Sequence, residues 1–188
     1  MLSFKDLQRL EDMYYSVYKL MFPEHSYTSL SAMMLESLRK IEVGGKYIDF
    51  TAPDLDGHPV TLSQQIDGKV ALIDLWASWC GPCRSEMKSL RRLYKDFEHK
   101  GLRVMSISLD DSREKWLKAC QEEQLPWKSY RNPFGYKRDG IRADLGIEGI
   151  PYLVVLDREG RFVAKELHRN VLRKKVQDLL NSQREQVR

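Results

Sequence analysis

The sequence predicts an α/β domain built around one mixed β-sheet, with a helical extension in front of it. Three observations lead there. Val70 to Trp76 is a nearly continuous apolar run, the texture of a strand covered on both faces. Strand-like and helix-like stretches alternate on both sides of it, as in a sheet flanked by helices. Near the C-terminus, Tyr152–Leu156 and Phe162–Lys165 flank Asp157-Arg158-Glu159-Gly160, a hairpin signal that makes the sheet mixed.

The elements follow in order. Leu7, Leu10, Tyr14, Val17, Tyr18 and Met21 recur at helical spacing and predict an amphipathic helix. Phe22-Pro23-Glu24-His25 ends it. A second helix is expected with Leu30, Met33, Met34, Leu38 and Ile41 on one face, and these Met and Tyr stripes read as packing surface. Gly44-Gly45 closes the helical section. The expected division is therefore a helical extension over 1–42 and an α/β domain over 43–188. Tyr47–Thr51 and Pro59–Leu62 are expected as short extended pieces around the Asp56-Gly57 turn. After the Val70–Trp76 strand comes a helix over Pro82–His99, with Met87, Leu90, Tyr94 and Phe97 inward. Leu102–Leu109 is the next strand and Ser112–Glu123 the next helix. Val171–Leu180 closes the domain with Leu172, Val176, Leu179 and Leu180 inward.

Composition narrows the class of function. The 188 residues are 42% hydrophobic and 31% charged, a globular balance that argues against a disordered chain. The net charge is +4, and the stretch from Lys165 to Arg188, with seven Lys/Arg against three Asp/Glu, carries all of that excess. No aromatic or Gly-rich pattern is interleaved there, so it reads as a solvated helix face and no nucleic-acid partner is expected. Met1–Leu10 has none of the apolar core of a signal peptide, and no apolar run is long enough to span a bilayer. Three cysteines are too few for a disulfide-stapled scaffold and lack the spacing of a four-ligand zinc site. His25, His58, His99 and His168 are scattered, and no metal site is expected.

The chemistry concentrates in Trp79-Cys80-Gly81-Pro82-Cys83, at the junction of the apolar strand and the following helix. Two cysteines three apart on a first helical turn share a face and can form a disulfide. Pro82 suits that turn, where an N–H has no partner to lose. The partial positive charge of the helix N-terminus favours a thiolate on Cys80. Only the thiolate attacks a disulfide, so Cys80 is expected as nucleophile and Cys83 as resolving thiol. Asp74 lies inside the apolar strand, facing away from Ile73 and Leu75. Burial favours its neutral acid, and such a carboxyl can relay a proton to or from Cys83. Glu86, three residues beyond Cys83, is either a supplementary acid–base group or an acidic residue favoured by the helix dipole. Cys120, among Trp116, Leu117 and Ala119, reads as a small buried hydrophobe rather than a third redox thiol.

Ala71 to Cys83 resembles the active-site signature of the thioredoxin superfamily, and Gly146 to Tyr152 resembles its cis-proline loop. A thioredoxin-like fold is therefore implied. The resemblance implies a cis peptide at Ile150–Pro151 beside the cysteines, with the backbone of Ile150 binding an extended substrate peptide. Trp79, Gly81, Pro82 and Tyr152 would line that groove, and Trp76 would pack behind it. Within the superfamily the chain is similar to the TlpA/ResA-like branch of bacterial envelope reductants. Gly45–Leu62 looks like that branch's opening hairpin, Asp111–Leu145 like its strand–helix insertion, and Glu86 like its active-site glutamate. The segment before residue 43 looks like the tail of an upstream domain. Three positions depart from the pattern: Ser106 stands where thioredoxin has a lysine near the buried aspartate, Lys88 where a helix-kinking proline is usual, and Tyr152 where threonine is usual.

The resemblance implies a protein-disulfide reductase that needs no cofactor. Its partners would be disulfide-containing substrate proteins and an upstream dithiol electron donor, a membrane carrier for envelope members and a flavin reductase for cytosolic ones. The branch points to the bacterial envelope or periplasm, and a monomer is expected. Two other readings stand beside it. A thiol peroxidase would share the opening hairpin but wants a threonine and a proline just ahead of its cysteine, where this chain has Ala77 and Ser78. A redox-silent peptide-binding module would have no use for an intact CxxC.

Overall fold

The computed structural model describes residues 4–40, 43–66, 68–137, 139–165, 167 and 169–182. The chain begins with α1 (Phe4–Met13), a π-helical stretch over Tyr14–Tyr18 and a last turn α2 (Lys19–Met21), then turns back into α3 (Ser26–Lys40). The hairpin is held by Tyr14 and Leu35, both buried, with Leu10, Tyr18 and Ala32 packed against them. The Tyr14 hydroxyl donates to the Thr28 carbonyl at 2.9 Å. Two expectations need correction here. Val17 and Met21 are exposed, because the wide turns of the π stretch rotate them off the face that Leu10, Tyr14 and Tyr18 share. Leu30 is also exposed, and the packed face of α3 runs instead through Thr28, Ala32 and Leu35. Ile41 and the side chains of Leu7, Met33, Met34 and Leu38 lie outside the described residues.

A two-stranded antiparallel hairpin follows, β1 (Thr51–Pro53) and β2 (Pro59–Thr61), running directly into the short helix α4 (Leu62–Ile66). The expected strand over Tyr47–Thr51 is thus shifted. Residues 44–47 instead lie along the final hairpin, where Gly44 N–H donates to Phe162 O and Tyr47 N–H to Gly160 O. Then come β3 (Val70–Trp76), α5 (Gly81–Phe97), β4 (Leu102–Ser108), α6 (Arg113–Glu123), β5 (Lys128–Arg131), α7 (Ile141–Asp144), β6 (Tyr152–Leu156), β7 (Phe162–Lys165) and α8 (Arg169–Ser182). The main sheet has the order β5-β4-β3-β6-β7, with β3, β4 and β5 parallel to one another and β6 antiparallel to both of its neighbours, β3 and β7. With helices on both sides of this mixed sheet, the fold is thioredoxin-like. Lys88 lies within α5, which runs unbroken over 17 residues.

β3 is central and every one of its residues is buried. Its alternation divides the core into two layers. Ala71, Ile73 and Leu75 join Met105, Ile107, Val154 and Leu156 against α4 and α7. Val70 and Leu72 face Leu90, Leu93 and Phe97 of α5 and Leu172, Val176 and Leu180 of α8. Asp74 falls on this second face, opposite Ser106 of β4 and Leu153 of β6. A third cluster at the C-terminal end of β3 joins Trp76, Ala77, Cys80, Cys83 and Met87 to Trp116, Ala119 and Cys120.

Gly160 closes the β6–β7 hairpin at φ +74°, and a Cβ there would meet the Tyr47 ring at 2.4 Å. Gly57 has φ +94° but open space around it. Gly160→Ala is therefore expected to lower stability by about 2–3 kcal/mol, backbone strain plus displacement of Tyr47, and Gly57→Ala by only about 1 kcal/mol. Urea unfolding midpoints of the two variants check the difference.

Candidate active site

β3 ends at Trp76 and the chain passes through Ala77, Ser78 and Trp79 before α5 starts. Cys80 is the N-cap of α5, in extended backbone geometry, with Pro82 in the first turn. The Cys80 sulfur accepts the Cys83 backbone N–H at 3.2 Å, filling the capping position usually taken by a serine or aspartate oxygen. Cys80 and Cys83 form a disulfide, with their Cα atoms 5.3 Å apart. Cys80 is 5% exposed and Cys83 1%. Cys80 is thus the more exposed residue of the two, and its sulfur is the one facing a helix N–H group.

Asp74 is buried, and the Ser106 hydroxyl donates to its Oδ2 at 2.8 Å. Burial pushes its carboxyl up to about 7; the Ser106 hydrogen bond opposes that shift, and the charge of Glu86 adds to it. Glu86 lies one turn beyond Cys83 on α5 and is half-buried. The Ile150–Pro151 peptide is cis. Ile150 packs against the cluster that contains both cysteines, so the fold brings this loop to the disulfide. Trp79, Gly81 and Pro82 are exposed at the same end, and Pro151 is half-buried.

Residues 43–168 match the AhpC/TSA family. The chain belongs to the AhpC/TSA family. Among the relatives of this family member is the thioredoxin-like protein YneN of Bacillus subtilis, 30% identical over 72% of this chain and 76% of the relative. Thiol-disulfide oxidoreductase ResA of Bacillus anthracis is 24% identical over 66% of this chain and 69% of its own. The thioredoxin domain of a thiol-disulfide oxidoreductase from Bacteroides vulgatus superposes with a TM-score of 0.69 at 31% identity, covering 74% of this chain and 99% of the domain. This AhpC/TSA member is a ResA-like thiol–disulfide oxidoreductase, with its two cysteines where β3 leads into the N-terminus of α5.

One expected groove residue is displaced. Tyr152 is only 7% exposed, and its ring packs in the core with Leu75 and Tyr130, because the first residue of β6 shares the inward face of Val154 and Leu156. The side chain that meets Trp79 is Tyr136, whose ring stands edge-on to the indole at 5.1 Å. Tyr136 is held by Arg142, whose guanidinium lies 3.8 Å from the ring centroid. Arg142 is buried and donates to the carbonyls of Tyr136, Ile147 and Glu148, which ties this loop to the approach to Pro151. Nothing local in the sequence marks Tyr136, since the contact joins residues far apart in the chain.

Asp110 was equally hidden. It sits just beyond β4, 1% exposed, and accepts the Ser78 N–H at 2.8 Å, the Ser78 hydroxyl at 2.6 Å and the Ser108 hydroxyl at 2.7 Å. These bonds fix the loop that carries Trp79 and Cys80. Arg84 of α5 adds ion pairs to Glu122 at 2.8 Å and Glu123 at 2.7 Å of α6. Cys120 is buried beside Trp116, and burial pushes its thiol up to about 11, so at neutral pH it stays protonated and unreactive.

Among the described residues, Asp54, Asp56 and His58 offer ligand atoms within 4.8 Å of one another, which the scattered histidines of the sequence did not suggest. Asp54 Oδ1 already accepts the Asp56 and His58 backbone N–H groups at 3.0 and 2.9 Å, so the grouping is explained as the turn between β1 and β2.

The raised Asp74 value gives a pH prediction. Between about pH 4 and 7 the folded protein holds a proton that the unfolded chain has lost, so stability falls as pH rises through that window and then levels off. Asp74→Asn removes the ionisable group. It is expected to stabilise the protein at about pH 8 more than at about pH 5, by roughly 2 kcal/mol. Urea unfolding of both proteins at the two pH values measures this, and an identical slope for both would reassign the pH dependence to other groups.

Proposed function

We propose that this oxidoreductase reduces disulfide bonds in partner proteins, with Cys80 as nucleophile, Cys83 as resolving thiol and Asp74 as proton relay. The observation that carries the reading is the Cys80 sulfur at the N-cap of α5, where it accepts a backbone N–H and feels the helix dipole. In the reduced enzyme the Cys80 thiolate attacks one sulfur of the partner's disulfide. A mixed disulfide forms, and the partner's other sulfur leaves as a thiolate. Cys83 passes its proton to the Asp74 carboxylate and attacks the Cys80 sulfur. That closes the Cys80–Cys83 disulfide and expels the partner's second thiolate, which is then protonated. Two electrons pass to the partner, and a dithiol donor restores the enzyme.

Glu86 supplements Asp74 in this reading by raising its proton affinity. The substrate backbone lies along Ile150 and Pro151, with Trp79, Gly81 and Pro82 beside it, adding in the manner of an extra strand. Tyr136 takes the place first expected for Tyr152 as the second aromatic wall. The ResA-like relationship supports a location in the bacterial envelope, with a membrane carrier as the dithiol donor. Among the described residues no helix is long and apolar enough to cross a membrane. The helices before residue 41 fit the tail of an upstream domain, with the catalytic domain following from residue 43.

Trapping tests the roles directly. Cys83→Ser is expected to accumulate mixed disulfides with partner proteins on non-reducing gels, and Cys80→Ser to accumulate few. Equal trapping by both would remove the assignment. Asp74→Asn is expected to slow mixed-disulfide resolution by about a hundredfold near neutral pH while leaving the first attack fast. In the wild type, rapid turnover of a protein disulfide with negligible turnover of peroxide supports the reductase; the reverse ranking would favour a peroxidase.

A further inference from the structure

Asp74 does not meet Ser106 alone. The Trp127 indole Nε1–H donates to the Ser106 hydroxyl oxygen at 2.8 Å, and Ser106 in turn lies 2.8 Å from Asp74 Oδ2. All three side chains are buried: Asp74 is 1% exposed, Ser106 0% and Trp127 8%. The indole nitrogen is a donor only, so the serine oxygen must accept from it. A serine hydroxyl has one proton, and with its oxygen engaged by Trp127 that proton is directed at the carboxyl. The bonds therefore run one way, from indole to hydroxyl to carboxyl.

We propose that Trp127 and Ser106 are positioning residues that set the protonation of Asp74, Trp127 acting only through the orientation and polarity of the Ser106 hydroxyl. A hydroxyl that accepts a hydrogen bond becomes a stronger donor, so Trp127 strengthens the bond that favours the ionised carboxyl. The chain thus opposes burial and keeps Asp74 able to change protonation state near neutral pH. Sheet register places the pair, because Asp74 and Ser106 are direct partners across the parallel β3–β4 ladder. Trp127 arrives from the connection between α6 and β5, and Tyr94 of α5 holds it edge-on with ring centroids 5.5 Å apart. Of the other elements around Asp74, β6 presents apolar Leu153 opposite it. α5 contributes Glu86, whose charge acts against ionisation, and the proposed reaction makes Cys83 of the same helix its proton partner once reduced.

The deepest part of the inference rests on Asp74 being the relay, so the test has two arms that fail separately. The first follows the Asp74 carboxyl carbon by NMR titration in the oxidised protein, where neither Cys80 nor Cys83 titrates. Ser106→Ala is expected to move the Asp74 midpoint up by about one pH unit, and Ser106→Thr to restore it. Trp127→Phe is expected to move it up by less. The double variant Ser106→Ala/Trp127→Phe removes the hydroxyl and the indole N–H together, so no buried indole donor is left unpaired, and it should match Ser106→Ala alone. An unmoved midpoint in Ser106→Ala, or a Trp127→Phe shift of equal size with and without Ser106, would overturn the proposal. The second arm measures the pH profile of mixed-disulfide resolution in the reduced variants. A parallel shift supports both the chain and the relay. A shifted carboxyl midpoint with an unshifted kinetic profile keeps the chain and removes Asp74 as the relay.

Discussion

The hydrogen bond from the Cys83 backbone N–H to the Cys80 sulfur is the contact on which the rest of the site depends. It requires Cys80 to stand at the exact start of a helix, so the strand before it and the loop between must end at a defined point. β3 provides the fixed strand, since it is central in the sheet and buried along its whole length. Asp110 fixes the loop through Ser78. Arg84, through Glu122 and Glu123, holds the first turn of α5 against α6. Loss of any of these would leave two cysteines in the sequence without the geometry that distinguishes them.

The polar groups that serve this arrangement collect toward the C-terminal ends of β3 and β4, where parallel strands commonly place their functional residues. They form two separate sets. Asp110, Ser78 and Ser108 are a closed structural knot just past the strand ends. Asp74, Ser106 and Trp127 lie deeper, on the face of the sheet that α5 covers. The same chemistry, a buried carboxyl, serves different ends because the donor sets differ. Three donors converge on Asp110, whereas one hydroxyl serves Asp74 and burial pushes its carboxyl to about 7. A buried Asp that costs stability when ionised fits the proton relay proposed for Asp74.

Much of this was legible in the chain because the signals were local. The apolar run Val70–Trp76 emerges as β3 with those bounds, and Asp157–Gly160 as the turn between β6 and β7. The placement of Cys80 and Cys83 on a first helical turn follows from a five-residue motif. Contacts between distant residues were not legible. Ser78 and Asp110 are 32 residues apart, and Trp79 and Tyr136 meet only after the α6–β5 unit folds back. Tyr152 illustrates the opposite failure: its neighbour Pro151 suggested a groove wall, yet strand alternation sends its ring into the core. In the N-terminal hairpin the 3.6-residue period does not hold through the π stretch, and Val17 and Met21 turn outward.

In the proposed mechanism the helix start makes one cysteine of the pair the attacking thiolate, and the proton affinity of that thiol reports on it most directly. Thiolate absorbance in the ultraviolet, followed across pH in the reduced protein and in Cys83→Ser, gives the Cys80 midpoint. An ordinary cysteine titrates near about 8.5. A Cys80 midpoint at least about one pH unit below that is expected from its N-cap position, and a midpoint at or above the ordinary value would contradict it.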